Sequence, residues 1–90
     1  MKTIKAIISG TVQGVFFRKF VEEKAREFEL KGFTRNLDDG RVEVFVEGRD
    51  ESVNEFVEKC KQGPPQSQID KIETQEIRHQ GFEDFKILRI

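Results

Sequence analysis

The order of hydrophobic periodicities along the chain restricts its fold more than any other feature. Residues 4–10 alternate as in a strand, and the segment after them is apolar at helical spacing. Two strand-like runs follow, then a second helical stripe and two further strand-like runs. Strands are predicted at 4–10, 31–37, 42–48, 69–77 and 85–90, and the helical stripes are Phe17, Phe20, Val21, Ala25 and Phe28, then Val53, Phe56, Val57 and Cys60.

This order, β-α-β-β-α-β with a short C-terminal strand, is that of a ferredoxin-like α+β sandwich. We expect two helices to cover one face of an antiparallel sheet, and the other face to meet solvent. Asp39 and Gly40 predict a tight hairpin, and Asp50 or Ser52 is expected to cap the second helix. Because no linker or low-complexity tract interrupts the chain, residues 1–90 are predicted to form a single domain.

Charge and composition exclude several classes of partner. Sixteen basic and 17 acidic residues give a net charge of −1, which argues against nucleic acid as the main ligand. A single cysteine cannot form an internal disulfide, and no apolar run is long enough for a membrane span or a signal peptide. We therefore expect a cytoplasmic protein with no nucleic-acid or membrane partner, and a monomer.

The segment Gly-Thr-Val-Gln-Gly-Val-Phe-Phe-Arg, residues 10–18, is the strongest indication of function. A strand followed by a glycine loop and a helix start concentrates unpaired backbone N–H groups at the positive end of a helix dipole, which favours binding of a phosphate. Arg18 in the first turn can add a bidentate guanidinium contact. The spacing is not that of a P-loop, and the alternative is a simple strand-to-helix turn.

Four blocks of sequence carry a family resemblance. They are Val-Gln-Gly-Val-Phe-Phe-Arg at 12–18, Gly-Phe-Thr-Arg-Asn at 32–36, Asp-Gly-Arg-Val-Glu-Val-Phe-Val-Glu-Gly at 39–48, and Gly-Pro-Pro-Gln-Ser-Gln-Ile-Asp at 63–70. In this order and spacing they resemble the acylphosphatase family, small single-domain enzymes that hydrolyse carboxyl-phosphate anhydrides. Within these blocks, Phe33 stands where many members carry Trp, and Thr34 where an apolar β-branched residue is usual.

The resemblance implies a role for individual residues. The arginine that matches Arg18 binds the phosphoryl group of an acyl phosphate, and the asparagine that matches Asn36 positions the attacking water. No metal and no cofactor is implied. The phosphate would be cradled by the backbone N–H groups of Gln13, Gly14, Val15, Phe16 and Phe17.

Other interpretations stay open at this stage. Asn36 alone is equally compatible with turn geometry, and the whole chain with a non-catalytic domain that senses an anion. Residues Asp38 and Asp39 are expected to serve the hairpin rather than a metal ion. His79 is predicted at the surface, and Cys60 as a buried apolar side chain rather than a nucleophile.

Overall fold

The computed structural model describes residues 1–12 and 15–88, with only the backbone of Val15. Its elements, in chain order, confirm the predicted β-α-β-β-α-β arrangement with a short C-terminal strand. They are β1 (Lys2–Thr11), α1 (Val15–Glu27), β2 (Lys31–Asn36), β3 (Val42–Gly48), α2 (Asp50–Gln62), β4 (Gln68–Ile77) and β5 (Phe85–Ile87).

The strands form one sheet in the order β4-β1-β3-β2-β5, which confirms the ferredoxin-like fold. Neighbouring strands are antiparallel except for β2 and β5, which are parallel, so the sheet is mixed rather than purely antiparallel. The reason lies in the connection 78–84. It leaves β4 at one edge of the sheet and reaches β5 at the opposite edge, so that β5 runs in the direction of β2.

The core lies between the helices and the inner face of the sheet. Val42, Val44 and Val46 of β3 are fully buried there, which confirms the predicted aliphatic face. Alternate residues of β1 and the apolar stripes of both helices complete the core. Its helical members are Phe17, Val21, Ala25, Val53, Phe56 and Cys60, with Phe20, Phe28 and Val57 partly buried against them.

The prediction that the outer face of the sheet meets solvent is wrong in its central part. Glu43 and Glu47 of β3 point to this face, yet only 5% and 3% of their surfaces are exposed. Part of the cover is the ring of Phe82, which packs edge-on against the stacked rings of Phe33 and Phe45, with centroids 5.9 and 6.4 Å away. The connection 78–84 therefore encloses this half of the outer face.

Glu47 holds that connection in place. Its carboxylate accepts hydrogen bonds from the Thr3 hydroxyl at 2.6 Å and from the backbone N–H groups of Gln80, Gly81 and Phe82 at 2.6, 3.0 and 3.1 Å. Burial alone would raise the pKa of Glu47, but these four donors outweigh it and hold the pKa below its ordinary value. The side chain is therefore an anion that binds the backbone of a distant segment.

The start of α2 differs from the prediction. The residue at the N-cap is Arg49, whose backbone is extended and whose carbonyl accepts the first helical hydrogen bond, from Val53 N–H, at 2.9 Å. No side chain caps the helix, so the prediction of a cap by Asp50 or Ser52 is wrong. Asp50 instead lies in the first turn, where its charge favours the helix dipole, and pairs with the terminal amino group of Met1 at 3.2 Å.

Candidate functional site

The topology brings the predicted site residues to one edge of the sheet. Strands β1 and β2 are each antiparallel to β3, so they run in the same direction and end at the same edge. Ile8, Val42 and Asn36 form one row across the sheet at this edge. Helix α1 connects β1 to β2 and begins at the same edge, so Arg18 in its first turn and Asn36 at the end of β2 lie at the same end of the domain.

A β-bulge directs the end of β1 into the loop before α1. The register of β1 against β4 shifts between Ser9 and Gly10, and Gly10 adopts a φ of 133°. A Cβ at Gly10 would overlap with the carbonyl oxygen of Gln68. Bulges of this kind re-aim a strand near functional sites, and only glycine permits this one.

Two buried side chains fix the ends of the loop, although Gln13 and Gly14 of the predicted phosphate cradle lie outside the described residues. Val12 is fully buried where the chain leaves β1, and Phe17 is 2% exposed in the core. Between them, the first backbone N–H groups of α1 have no carbonyl one turn earlier in the helix to bind. The first turn contains no acidic residue, so the positive end of the helix dipole is not neutralised by its own helix. This helix start can attract an anion.

Arg18 adds a positive charge to this helix start and is half-buried there. The negative charge of Asp39 in the nearby hairpin is balanced by Arg41. The Asp39 carboxylate accepts hydrogen bonds from the backbone N–H of Arg41 at 3.1 Å and from its guanidinium at 2.7 Å. The backbone hydrogen bond from Arg41 is the main reason that the pKa of Asp39 lies below its ordinary value. These contacts confirm that Asp39 serves the turn.

Asn36 differs from its polar neighbour on the same face of β2. The hydroxyl of Thr34 is fully buried and donates to the carbonyl oxygen of Glu43 at 3.0 Å. This hydroxyl, which departs from the family's usual apolar residue, therefore has a hydrogen-bond partner within the sheet. The Oδ1 atom of Asn36 is also buried, but no group of the described residues donates to it. Buried acceptors are nearly always paired, so this atom is a candidate acceptor for a ligand or a bound water.

The remaining reactive side chains lie elsewhere. Cys60 is fully buried on α2, which confirms the prediction of a buried side chain, and burial raises its pKa to about 12. His79 is exposed, as predicted, with Nδ1 at 3.1 Å from Glu47. Within residues 1–12 and 15–88, no group of three His, Cys, Asp or Glu residues could hold a metal ion. No helix in the same ranges is long and apolar enough to cross a membrane.

The structure adds a groove that the sequence analysis did not predict. It lies beside the start of α1, between Phe16 and the turn formed by residues 64–67. The pair Phe16–Phe17 was the available signal, because two successive residues of a helix cannot both face the core.

The chain is similar to known proteins over nearly its whole described length. The family model of acylphosphatases matches residues 4–87. An acylphosphatase of Acaryochloris marina is 44% identical over 86 residues, which cover 96% of this chain and 92% of the relative. One from Syntrophus aciditrophicus is 40% identical over 89 residues, covering 98% and 93%. The crystal structure of acylphosphatase from Bacillus subtilis is similar with a TM-score of 0.94 at 40% identity, covering 99% of this chain and 100% of that one.

Proposed function

The chain belongs to the acylphosphatase family, and we propose that it hydrolyses acyl phosphates with two side chains in separate roles. Arg18 holds the phosphoryl group, and Asn36 orients the attacking water. No metal ion takes part. The products are a carboxylate and inorganic phosphate.

The phosphoryl group is held at the start of α1. The unpaired N–H groups there, the uncompensated helix dipole and the guanidinium of Arg18 all favour a dianion at this point. We assign the cradle to the backbone N–H groups of residues 13–17, as the family resemblance implies. Since phosphoryl transfer passes through a loose transition state, positioning and positive charge supply most of the catalysis.

The single observation that carries the role of Asn36 is its buried Oδ1, to which no described residue donates. A water that donates one hydrogen to this oxygen turns a lone pair away from Asn36, toward a phosphoryl group bound at the helix start. Attack forms the new P–O bond as the bond to the acyl oxygen breaks, and the electron pair leaves with the carboxylate. Both protons of the water end on the product phosphate, one of them after transfer to a neighbouring phosphate oxygen, so the products are the carboxylate and H₂PO₄⁻. A carboxylate is a weak base, so no general acid is needed.

The experiment compares Arg18→Ala, Arg18→Lys and Asn36→Ala by steady-state kinetics on acetyl phosphate and by inhibition with inorganic phosphate. Arg18→Ala should lose about 10³-fold or more in kcat and bind phosphate weakly, and Arg18→Lys should also be poor because an ammonium group lacks the planar fork. Asn36→Ala should lose most of its kcat while the phosphate inhibition constant stays near that of the wild type.

Two controls and one condition complete the experiment. Arg26→Ala removes an exposed arginine from the other end of the same helix and should leave kinetics unchanged. Asn36→Asp keeps the shape but should repel the phosphate. All assays run with a chelator present. Turnover that disappears with chelator, or an Asn36→Ala variant that turns over normally, would contradict the mechanism, and phosphate binding without any turnover would identify a binding domain.

A further inference from the structure

A preformed groove lies beside the proposed phosphate site. Its volume is about 440 Å³, and one wall is the first two turns of α1 while the other is the turn before β4. The lining is mainly apolar. The residues that form it include Thr11, Phe16, Phe20, Pro64, Pro65 and Ser67.

Phe16 stands out on the helix wall. Its side chain is 81% exposed, and among the described residues only Met1 shares this degree of exposure for a large apolar side chain. The neighbouring Phe17 already supplies the core contact at this point of the helix, with 2% of its surface exposed. The fold therefore gains little from a phenyl ring at position 16, whereas a bound apolar group would bury part of it.

The opposite wall is rigid. Ser67 donates to the carbonyl oxygen of Pro64 both from its backbone N–H, at 3.0 Å, and from its hydroxyl, at 2.8 Å. The two prolines fix their own φ angles, and Gly63 before them has a φ of 69°, which favours glycine. A wall held in this way loses little conformational freedom when a ligand binds.

The groove and Asn36 lie on opposite sides of the end of β1. Thr11 at the end of β1 pairs with Gln68 at the start of β4, which places the turn 64–67 beside the end of β1. Asn36 ends β2, on the other side of β1 in the sheet order. In-line displacement requires the leaving oxygen to lie opposite the attacking water. The acyl group of a bound substrate must therefore extend away from Asn36, toward the groove.

We propose that this groove binds the acyl group of the substrate and selects acyl phosphates whose acyl group is apolar and bulky, such as an aromatic ring. This inference rests on the proposed function. The rim carries one cation and one anion, Lys19 and Glu23, both exposed, so it offers no net charge to a charged acyl group. The apolar walls therefore distinguish apolar from polar acyl groups.

The test compares benzoyl phosphate with acetyl phosphate in the wild type and in Phe16→Ala, with benzoylphosphonate and acetylphosphonate as non-hydrolysable inhibitors. The phosphonates separate binding of the acyl group from its quality as a leaving group. In the wild type, benzoylphosphonate should bind at least tenfold more tightly than acetylphosphonate. In Phe16→Ala, this preference and the kcat/KM ratio of the two substrates should fall by about tenfold.

The matched control is Phe28→Ala, which removes a phenyl ring just beyond the other end of α1, where Phe28 packs against the core. It should lower stability without changing either ratio. If Phe16→Ala leaves both ratios unchanged, or Phe28→Ala changes them equally, the groove does not bind the acyl group even though acyl phosphates are hydrolysed. If the wild type hydrolyses neither substrate, the proposed function fails, and this inference fails with it.

Discussion

Replacement of Glu47 by glutamine is expected to destabilise the fold by about 2.5 kcal/mol without impairing the active site. The carboxylate is 3% exposed and accepts hydrogen bonds from Thr3 and from the backbone N–H groups of Gln80, Gly81 and Phe82. Glu47 is far from the site. Val42, which pairs with Asn36, begins β3, whereas Glu47 lies near the other end of that strand. Stability and kcat should therefore separate in this variant.

The magnitude follows from the geometry of the amide. The glutamine oxygen can keep the two bonds that Oε1 accepts, from Gly81 and Phe82, and its NH₂ then faces the N–H of Gln80. Thr3 can rotate its hydroxyl to accept. One donor loses its partner at a cost of about 1 kcal/mol, and the retained bonds lose their charge assistance, about 1.5 kcal/mol together. In a domain of this size, that loss lowers Tm by about 10–20 °C.

The assay is urea and thermal unfolding followed by circular dichroism, with Glu43→Gln as the matched control. Glu43 is 5% exposed on the same face of the same strand, but it binds the side chains of Arg35 at 2.6 Å and Lys5 at 3.7 Å. Those partners are more than a third exposed and remain solvated, so we expect a loss of about 1 kcal/mol. An equal loss in the two variants would refute the claim that backbone donors make Glu47 special.

The same contacts predict a pH dependence. Because hydrogen bonding outweighs burial and holds the pKa of Glu47 below its ordinary value of about 4.5, the carboxylate stabilises the fold fully at any pH above that ordinary, unfolded pKa. This contribution is lost as the pH falls from there through the folded pKa. The stability difference between wild type and Glu47→Gln should therefore shrink in acid.

Three further predictions concern other positions. Gly10→Ala should lower the free energy of unfolding in urea by about 2 kcal/mol or more and should also lower kcat. The added Cβ would overlap with the carbonyl oxygen of Gln68 and misdirect the loop. Unchanged stability and kcat would show that the bulge is dispensable. Cys60 should resist iodoacetamide at pH 8 until urea unfolds the chain, since it is buried with a pKa of about 12, and labelling of the native protein would contradict this. Phe33→Trp should change stability by less than about 1 kcal/mol, because Phe33 is only partly buried and stacks on Phe45 at the outer face, away from the tightly packed inner core where added volume is most costly. A larger loss in the same unfolding assay would show that this stack cannot accept the family's usual residue.

The elements and the inner core were predictable because their pattern is local. The alternation of Val42, Val44 and Val46 and the helical spacing of Phe17 and Val21 each lie within one element, and burial of an apolar stripe follows from its period. The topology then brings Arg18 and Asn36 to one edge. Their roles came from the family resemblance and stay predictions, as does the cradle assigned to Gln13 and Gly14.

The outer face was not predictable because its contacts are long-range. Glu43 and Glu47 alternate as solvent-facing residues should, and charges at such positions are usually solvated. What buries Glu47 is a segment more than 30 positions later, whose backbone N–H groups leave no mark in the local sequence. The prediction of the cap of α2 was wrong for a related reason. Arg49 occupies the N-cap position through its backbone conformation alone, without a side-chain hydrogen bond. The unpaired Oδ1 of Asn36 depends equally on packing from several elements.

The position of β1 inside the sheet has a consequence for how the chain folds. Its two neighbours, β3 and β4, come from later in the sequence, and Thr3 pairs with Ile77, more than 70 positions later. Such non-local pairings slow folding, because a long loop must close before they form. During synthesis the first strand therefore keeps an open edge until β4 has emerged. A product that stops before β4 would retain this apolar strand unpaired on one side, a template for aggregation.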